Sequence, residues 1–143
     1  MPTPTAIIDV VGGPSVVGSL IVNQFDLIRA VRAGLPVSTV HALMQSGRLS
    51  RAETDRVVLP RKTLAHRERI GTLTMDQSDR LMRVARVLAV AEEVFGTQDK
   101  AHRWLRRPTS ALANEVPLDL LDTEEGAREV EIILGRIAHG IAA

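Results

Sequence analysis

The stretch Met75–Phe95, MDQSDRLMRVARVLAVAEEVF, constrains this chain more than any other part of its 143 residues. Leu81, Val84, Ala85, Leu88, Ala91 and Phe95 recur at the helical period and make one apolar face, which Val87, Val90 and Val94 widen. Thr74 and Gln77 form a capping-box pattern in front of it, and Gly96 closes it. The spacing predicts one helix of ~30 Å, the diameter of a small domain. Only Asp79, Arg83, Arg86 and Glu93 make a clearly polar strip. A helix this apolar has to be covered on most sides. It is expected to be the spine of a helical core and to leave apolar surface for a second copy.

The rest of the chain is punctuated in the same helical manner. Phe25–Ala33 carries Leu27, Ile28 and Val31 at helical spacing and stops at Gly34. Pro36 suits the first turn of a second helix that turns Val40, Leu43 and Met44 inward and ends near Gly47. Ser50 and Glu53 form a capping box for a third, running to about Val58, and Arg61–Arg69 makes a fourth after Pro60. Beyond the long helix come Gln98–Arg106, two short turns around Thr109–Ala113 and Pro117–Leu121, and a last helix. That helix is capped by Asp122 or Thr123 and lined inside by Ala127, Val130, Ile133, Leu134 and Ile137. Before residue 25 the pattern gives no helix: Gly12-Gly13-Pro14 and Gly18 break two apolar stretches, and Val16–Val22 reads equally as an extended arm or an ordered loop.

Composition agrees with packed helices. The chain is 45% apolar but only 2% aromatic, so its core is built from Leu, Ile, Val and Ala. No cysteine is present, which excludes disulfides and thiolate chemistry. No Lys or Arg precedes Arg29, and neither apolar stretch reaches the roughly 18 residues of a membrane span. A soluble, cytoplasmic protein is the expectation. Residues 1–74 carry nine Arg/Lys against five Asp/Glu, and residues 75–143 carry nine against twelve. A basic amino half suits a phosphate-bearing partner and an acidic carboxyl half suits something else; scattered surface charge is the plain alternative.

Two helix–turn–helix candidates follow. The first joins Phe25–Ala33 through Gly34-Leu35-Pro36 to Val37–Gln45, and offers Ser38, Thr39, His41 and Gln45 to a groove. The second joins Ser50–Val58 through Leu59-Pro60 to Arg61–Arg69, RKTLAHRER, with Leu64 inward. It leaves Arg61, Lys62, Thr63, His66, Arg67 and Arg69 around the outside as the preferred DNA-binding set. Arg and Lys supply the salt-dependent phosphate attraction, and Arg can also bond the guanine edge through two N–H groups. Solvated arginines on a surface helix are the competing reading.

An enzyme is not indicated. His41, His66, His102 and His139 lack metal-ligand spacing, and no Gly-rich phosphate loop, G-x-S-x-G or H-E-x-x-H pattern occurs. No cofactor or metal is expected.

The segment Ala91–Gly140 carries the most specific pattern. Its anchors are Val94-Phe95-Gly96, Ala101, Trp104-Leu105, Pro108, Pro117-Leu118-Asp119-Leu120-Leu121, Thr123, Gly126, Val130 and Leu134-Gly135-Arg136-Ile137. In order and spacing it resembles the toxin-binding domain of the Xre/ParS/MbcA antitoxins. The stretch from Leu49 to Gly96 also resembles the amino-terminal domain of the same proteins, in which an RTL-type segment opens the helix written here Arg61-Lys62-Thr63-Leu64. Lys62 stands where Arg is commoner, keeping the charge but losing the planar fork. Ala113-Asn114-Glu115 stands where the family has a Gly-rich turn, and Asn114 tolerates positive φ.

The resemblance implies an all-α protein, an Xre-like helix–turn–helix bundle followed by a helical toxin-binding domain. The expected divisions are an arm over 1–24, a DNA-binding domain over 25–73, and a toxin-binding and dimerisation domain over 74–143. It implies an antitoxin that occludes the active site of a RES-class toxin, a class that consumes NAD or uses it to modify a target. It also implies autoregulation of its operon through operator DNA, as a homodimer within a larger toxin–antitoxin assembly. The toxin-facing set is Trp104, Arg136, His139, Gly140, Ile141, Ala142 and Ala143, because in these antitoxins the carboxyl end covers the toxin's active-site entrance. For Trp104, and for Gly96, Gly126 and Gly135, packing or capping is the first reading. A stand-alone repressor and an interaction module without DNA binding are the alternatives.

Overall fold

The computed structural model describes residues 2–140, which form nine α-helices and two 3-10 segments. The helices are α1 Pro4–Val10, α2 Pro14–Val17, α3 Gln24–Ala33, α4 Ser38–Gln45, α5 Arg51–Val57, α6 Arg61–Ile70, α7 Met75–Phe95, α8 Gln98–Leu105 and α9 Glu124–Ala138. Ser110–Leu112 and Pro117–Asp122 are the 3-10 segments between α8 and α9. Among the described residues extended pairing is limited to two isolated bridges, Pro36 with Thr72 and Thr109 with Glu115.

Local chemistry starts the helices. Ser50 Oγ accepts from the Glu53 amide (3.1 Å) while the Glu53 carboxylate accepts from the Ser50 amide (2.8 Å), and Thr74 with Gln77 repeats the arrangement (3.1 and 2.9 Å). Asn23 and Asp26 form a third reciprocal cap, at the head of α3. Thr97 and Thr123 each accept from an amide three residues on, which opens α8 and α9. Each satisfied amide removes one of the orphan donors of a first turn.

The centre of the molecule is α7. Leu81, Val84, Ala85, Val87, Leu88 and Ala91 are all buried, and α1, α3, α8 and α9 pack around it. Its polar strip is used internally: Arg83 Nη2 donates to the Asp122 carbonyl (3.3 Å) and Arg86 Nε to the Glu131 carboxylate (2.7 Å), which ties α9 alongside. The loops entering α4 and α7 are cross-linked by the Leu73 amide donating to the Leu35 carbonyl (2.8 Å). Buried Ser78 of α7 accepts from the Leu35 amide at the same distance.

Two expectations change here. Residues 1–24 are not an arm: Thr3 caps α1 by accepting from the Ala6 amide, Pro4 occupies the first turn, and Ile7, Ile8, Val10 and Val11 are buried in the common core. About two turns of helix leave too little periodicity in sequence to be read, and contact with α7 is what holds them. The surplus apolar face of α7 is narrower than expected, because α1 covers part of it, while Val90 and Val94 stay half-buried along its far end.

Candidate functional site

The segment α5–turn–α6 presents the first surface. Val57, Val58, Leu59 and Leu64 are buried and hold the turn, while Pro60 starts α6 without a side-chain cap of its own. Asp55 supplies it from α5, its Oδ1 accepting from the Arg61 amide at 2.6 Å. On α6, Arg61, Lys62, Ala65, His66 and Arg69 are exposed and follow the period of one helical face. Among the described residues no carboxylate lies within ion-pair distance of Arg61, Lys62 or Arg69. Thr63 and Arg67 are half-buried beside that face, and Arg67 Nε donates to the Thr72 carbonyl (2.7 Å), bracing the end of α6.

The other helix–turn–helix candidate is less available. Thr39 is fully buried and bonds the Pro36 carbonyl (2.6 Å), and His41 stands 3.3 Å from Glu68 of α6. Ser38 Oγ meets the Val16 carbonyl (3.4 Å), so Gln45 is the exposed group on α4 left without such a neighbour.

A clamp of charged groups joins this region to the carboxyl half. Arg106, just past α8, donates to both Glu53 carboxylate oxygens at 2.8 Å, to the Arg48 carbonyl at 2.9 Å and to the His102 carbonyl at 3.0 Å. Arg48 in turn holds both oxygens of Glu92 on α7 (2.7 and 2.9 Å). Burial pushes the Glu53 carboxyl up, but the Arg106 bonds and the Ser50 amide outweigh it and hold it below the usual carboxylate value. Glu53 therefore serves twice, in the cap of α5 and as the anchor for Arg106.

The second surface lies along α9. Arg128, Ile132, Arg136 and His139 are exposed at spacings of three to four residues and make one stripe, with Ile132 its apolar centre. Beside it a groove of about 450 Å³ runs between α9 and the end of α7, walled by Val90, Val94 and Glu131 and floored at Gly135. Gly135 has open space where a Cβ would stand, so it is neither a cap nor a close-packing position. Trp104 is 7% exposed and sits against Phe95, ring centres 5.5 Å apart, which places it in the core. Gly140 ends α9 with a positive φ; Ile141, Ala142 and Ala143 lie outside the described residues. Ile132 was not among the sequence-derived candidates; a single isoleucine outside the inner-face period was the available signal.

Comparison with known proteins identifies both halves. Residues 26–86 match the antitoxin Xre-like helix-turn-helix domain, and residues 90–140 match the antitoxin Xre/MbcA/ParS C-terminal toxin-binding domain. Antitoxin Xre of Pseudomonas putida is 37% identical over 119 residues, 82% of this chain and 74% of that protein. The chain belongs to the Xre/MbcA/ParS antitoxin family. Antitoxin Xre of Yersinia enterocolitica is 31% identical over 118 residues, 80% of each chain. The Prs ADP-ribosylating antitoxin of a Sphingobium species is 31% identical over 80 residues, half of each. In this antitoxin the two matched domains meet inside α7, so one helix serves both. Among the described residues no helix is long and apolar enough to cross a membrane, and no group of His, Asp and Glu is placed to hold a metal ion.

Proposed function

We propose that this antitoxin acts in the cytoplasm by covering the active site of a RES-class, NAD-using toxin and by repressing its own operon through α6. It works by binding and not by turnover. The observation that carries the DNA half is the exposed row Arg61, Lys62, His66 and Arg69 on one side of α6, with Arg61, Lys62 and Arg69 free of ion-pair partners among the described residues. Four groups spaced along a helix can follow a phosphate backbone or enter a major groove. Burial of Thr39 and pairing of His41 favour this helix over α4. A homodimer would present two such helices to two half-sites.

The toxin half rests on the α9 stripe of Arg128, Ile132, Arg136 and His139, and on Gly140–Ala143, which follow it in sequence. An exposed isoleucine flanked by Arg128 and Arg136 is a small hot-spot arrangement, an apolar anchor with a polar rim. The Sphingobium relative's name associates it with ADP-ribosylation, so NAD loss and transfer of ADP-ribose are the two toxin reactions to measure.

Arg61→Ala with Lys62→Ala, titrated against upstream DNA over a range of salt, is expected to lower affinity and flatten the salt slope by about 1 per lost phosphate contact. Unchanged affinity and slope would remove α6 as the reader. Deleting Gly140–Ala143, or replacing Ile132 by Glu, is expected to release the co-expressed toxin, seen as growth arrest, while operator binding stays intact. Full neutralisation by both variants would move the toxin surface elsewhere.

A further inference from the structure

The carboxyl half carries a second row of cations. Lys100 and Arg103 are exposed on α8 about one turn apart, and Arg107 follows about one turn further on, exposed as well. The Arg107 amide donates to the Trp104 carbonyl (3.3 Å), so the chain keeps winding past the last residue of α8. The inner side of this helix is Ala101, Trp104 and Leu105, all buried. Among the described residues none of Lys100, Arg103 and Arg107 has an ion-pair partner, and the helix carries one acid, Asp99, at its far end.

The charged clamp fixes where this row stands. Arg106 bonds both Glu53 oxygens and the Arg48 carbonyl, which seats the end of α8 on the first turn of α5. Arg51 belongs to that turn and is exposed, also without an ion-pair partner among the described residues. One turn along α5, Asp55 accepts from the Arg61 amide and so touches the start of α6. The acids on and beside α5 are engaged: Asp55 in that bond, Glu53 by Arg106, and Asp119 by Arg56 at 3.0 Å. A basic track therefore runs from Arg61 and Lys62 over Arg51 to Arg107 and Arg103.

In a helix–turn–helix the first helix crosses the phosphate backbone while the second lies in the groove. With α6 as the reading helix, α5 is the crossing helix, and its Arg51 end meets phosphate. We propose that α8 extends this contact, with Arg103 and Arg107, and Lys100 behind them, binding backbone phosphates that flank the bases facing α6. This inference rests on the α6 reading above. At ~1.5 Å per residue α5 spans ~10 Å, about three base pairs of rise, so the added phosphates lie just outside the α6 contact. Such contacts add affinity and register without sequence preference. The half of the chain that matches the toxin-binding domain then also holds DNA.

The test titrates the full chain, without toxin, against a duplex of its own upstream DNA and a random-sequence duplex of equal length, from about 50 to 200 mM salt. Arg103→Ala with Arg107→Ala is expected to weaken binding to both duplexes by the same factor, at least about tenfold. The slope of log affinity against log salt is expected to fall by about 1.8, roughly 0.9 for each lost phosphate contact. Helicity by circular dichroism and neutralisation of the co-expressed toxin are expected to stay native, since both side chains are exposed. Unchanged affinity and slope would overturn the proposal. Loss of neutralisation with DNA binding intact would overturn it too, and would assign the row to an acidic protein surface. Arg61→Ala with Lys62→Ala separates the two readings, because it is expected to weaken the upstream duplex more than the random one. A loss confined to the α8 variant would refute the α6 reading and leave the row as a phosphate contact. A loss confined to the α6 variant would refute the α8 contact alone.

Discussion

The turn at Ala113-Asn114 shows how much a single backbone position costs. Asn114 has φ 64°, as its side chain permits, but Ala113 before it is also left-handed at φ 56°. An alanine there carries about 1–2 kcal/mol of steric cost. The cost is tolerated because the turn returns the Thr109 amide to the Glu115 carbonyl (3.1 Å) and so aligns the following segment. Ala113→Gly is expected to raise stability by about 0.5–1 kcal/mol after the added freedom of the unfolded chain is subtracted, a rise of a few degrees in Tm by calorimetry. Gly126 is the opposite case. A Cβ there would collide with the Leu120 carbonyl and crowd Thr123 Oγ1, both fixed elements of the entry to α9. Gly126→Ala is expected to cost about 3 kcal/mol in denaturant unfolding, enough to displace that helix start. The sequence marked Gly126 as a packing or cap position, and its neighbours make it the former.

At the scale of elements, the start of α5 depends on a residue 53 positions away in sequence. Arg106 holds both Glu53 oxygens, and with side chains 23% and 12% exposed the pair is largely out of water. Removing one partner of such a pair leaves the other charge poorly solvated. Arg106→Ala is expected to cost about 2 kcal/mol near neutral pH, less than a fully buried pair because water still reaches it. The pH sign follows from Glu53, whose carboxyl is held below its ordinary value. A depressed carboxylate contributes above its unfolded pKa and loses that contribution as pH falls through the folded value. The difference between native and Arg106→Ala proteins should therefore be full at neutral pH and shrink in acid below the unfolded value of about 4.3. A gap that stays constant down to about pH 3, well below that value, would show that Arg106 acts through packing alone. The capping boxes at Ser50 and Thr74 were legible because both partners lie within four residues. Arg106 was not, because no local rule selects which of 18 Arg and Lys residues reaches Glu53.

Across the whole molecule α7 belongs to both halves, and this governs how the protein unfolds. The helix–turn–helix match ends at residue 86 and the toxin-binding match begins at residue 90, both within one helix buried by α1 and α3 as well as α8 and α9. Neither half can lose α7 without opening the other's core. Heating is expected to give one transition, with Trp104 fluorescence coinciding with helicity followed by circular dichroism. Trp104 packs on Phe95 at the end of α7 and so reports the carboxyl half. Two separated midpoints would show that the halves melt independently and that α7 frays between them.

The positions of α3 to α9, the caps at Ser50, Thr74 and Thr123, the inner faces of α7 and α9 and the exposure of Arg61, Lys62, His66 and Arg69 were all determined by the order of residues. Each depends on neighbours within about four positions, where periodicity and side-chain caps act. Packing in three dimensions decided the remainder: the helix at Pro4–Val10, the burial of Thr39 and Trp104, the Arg106–Glu53 clamp, and the apolar face left open on α3. Those depend on which surfaces meet after the chain has folded back on itself. A one-dimensional pattern states that a face is apolar without stating what covers it.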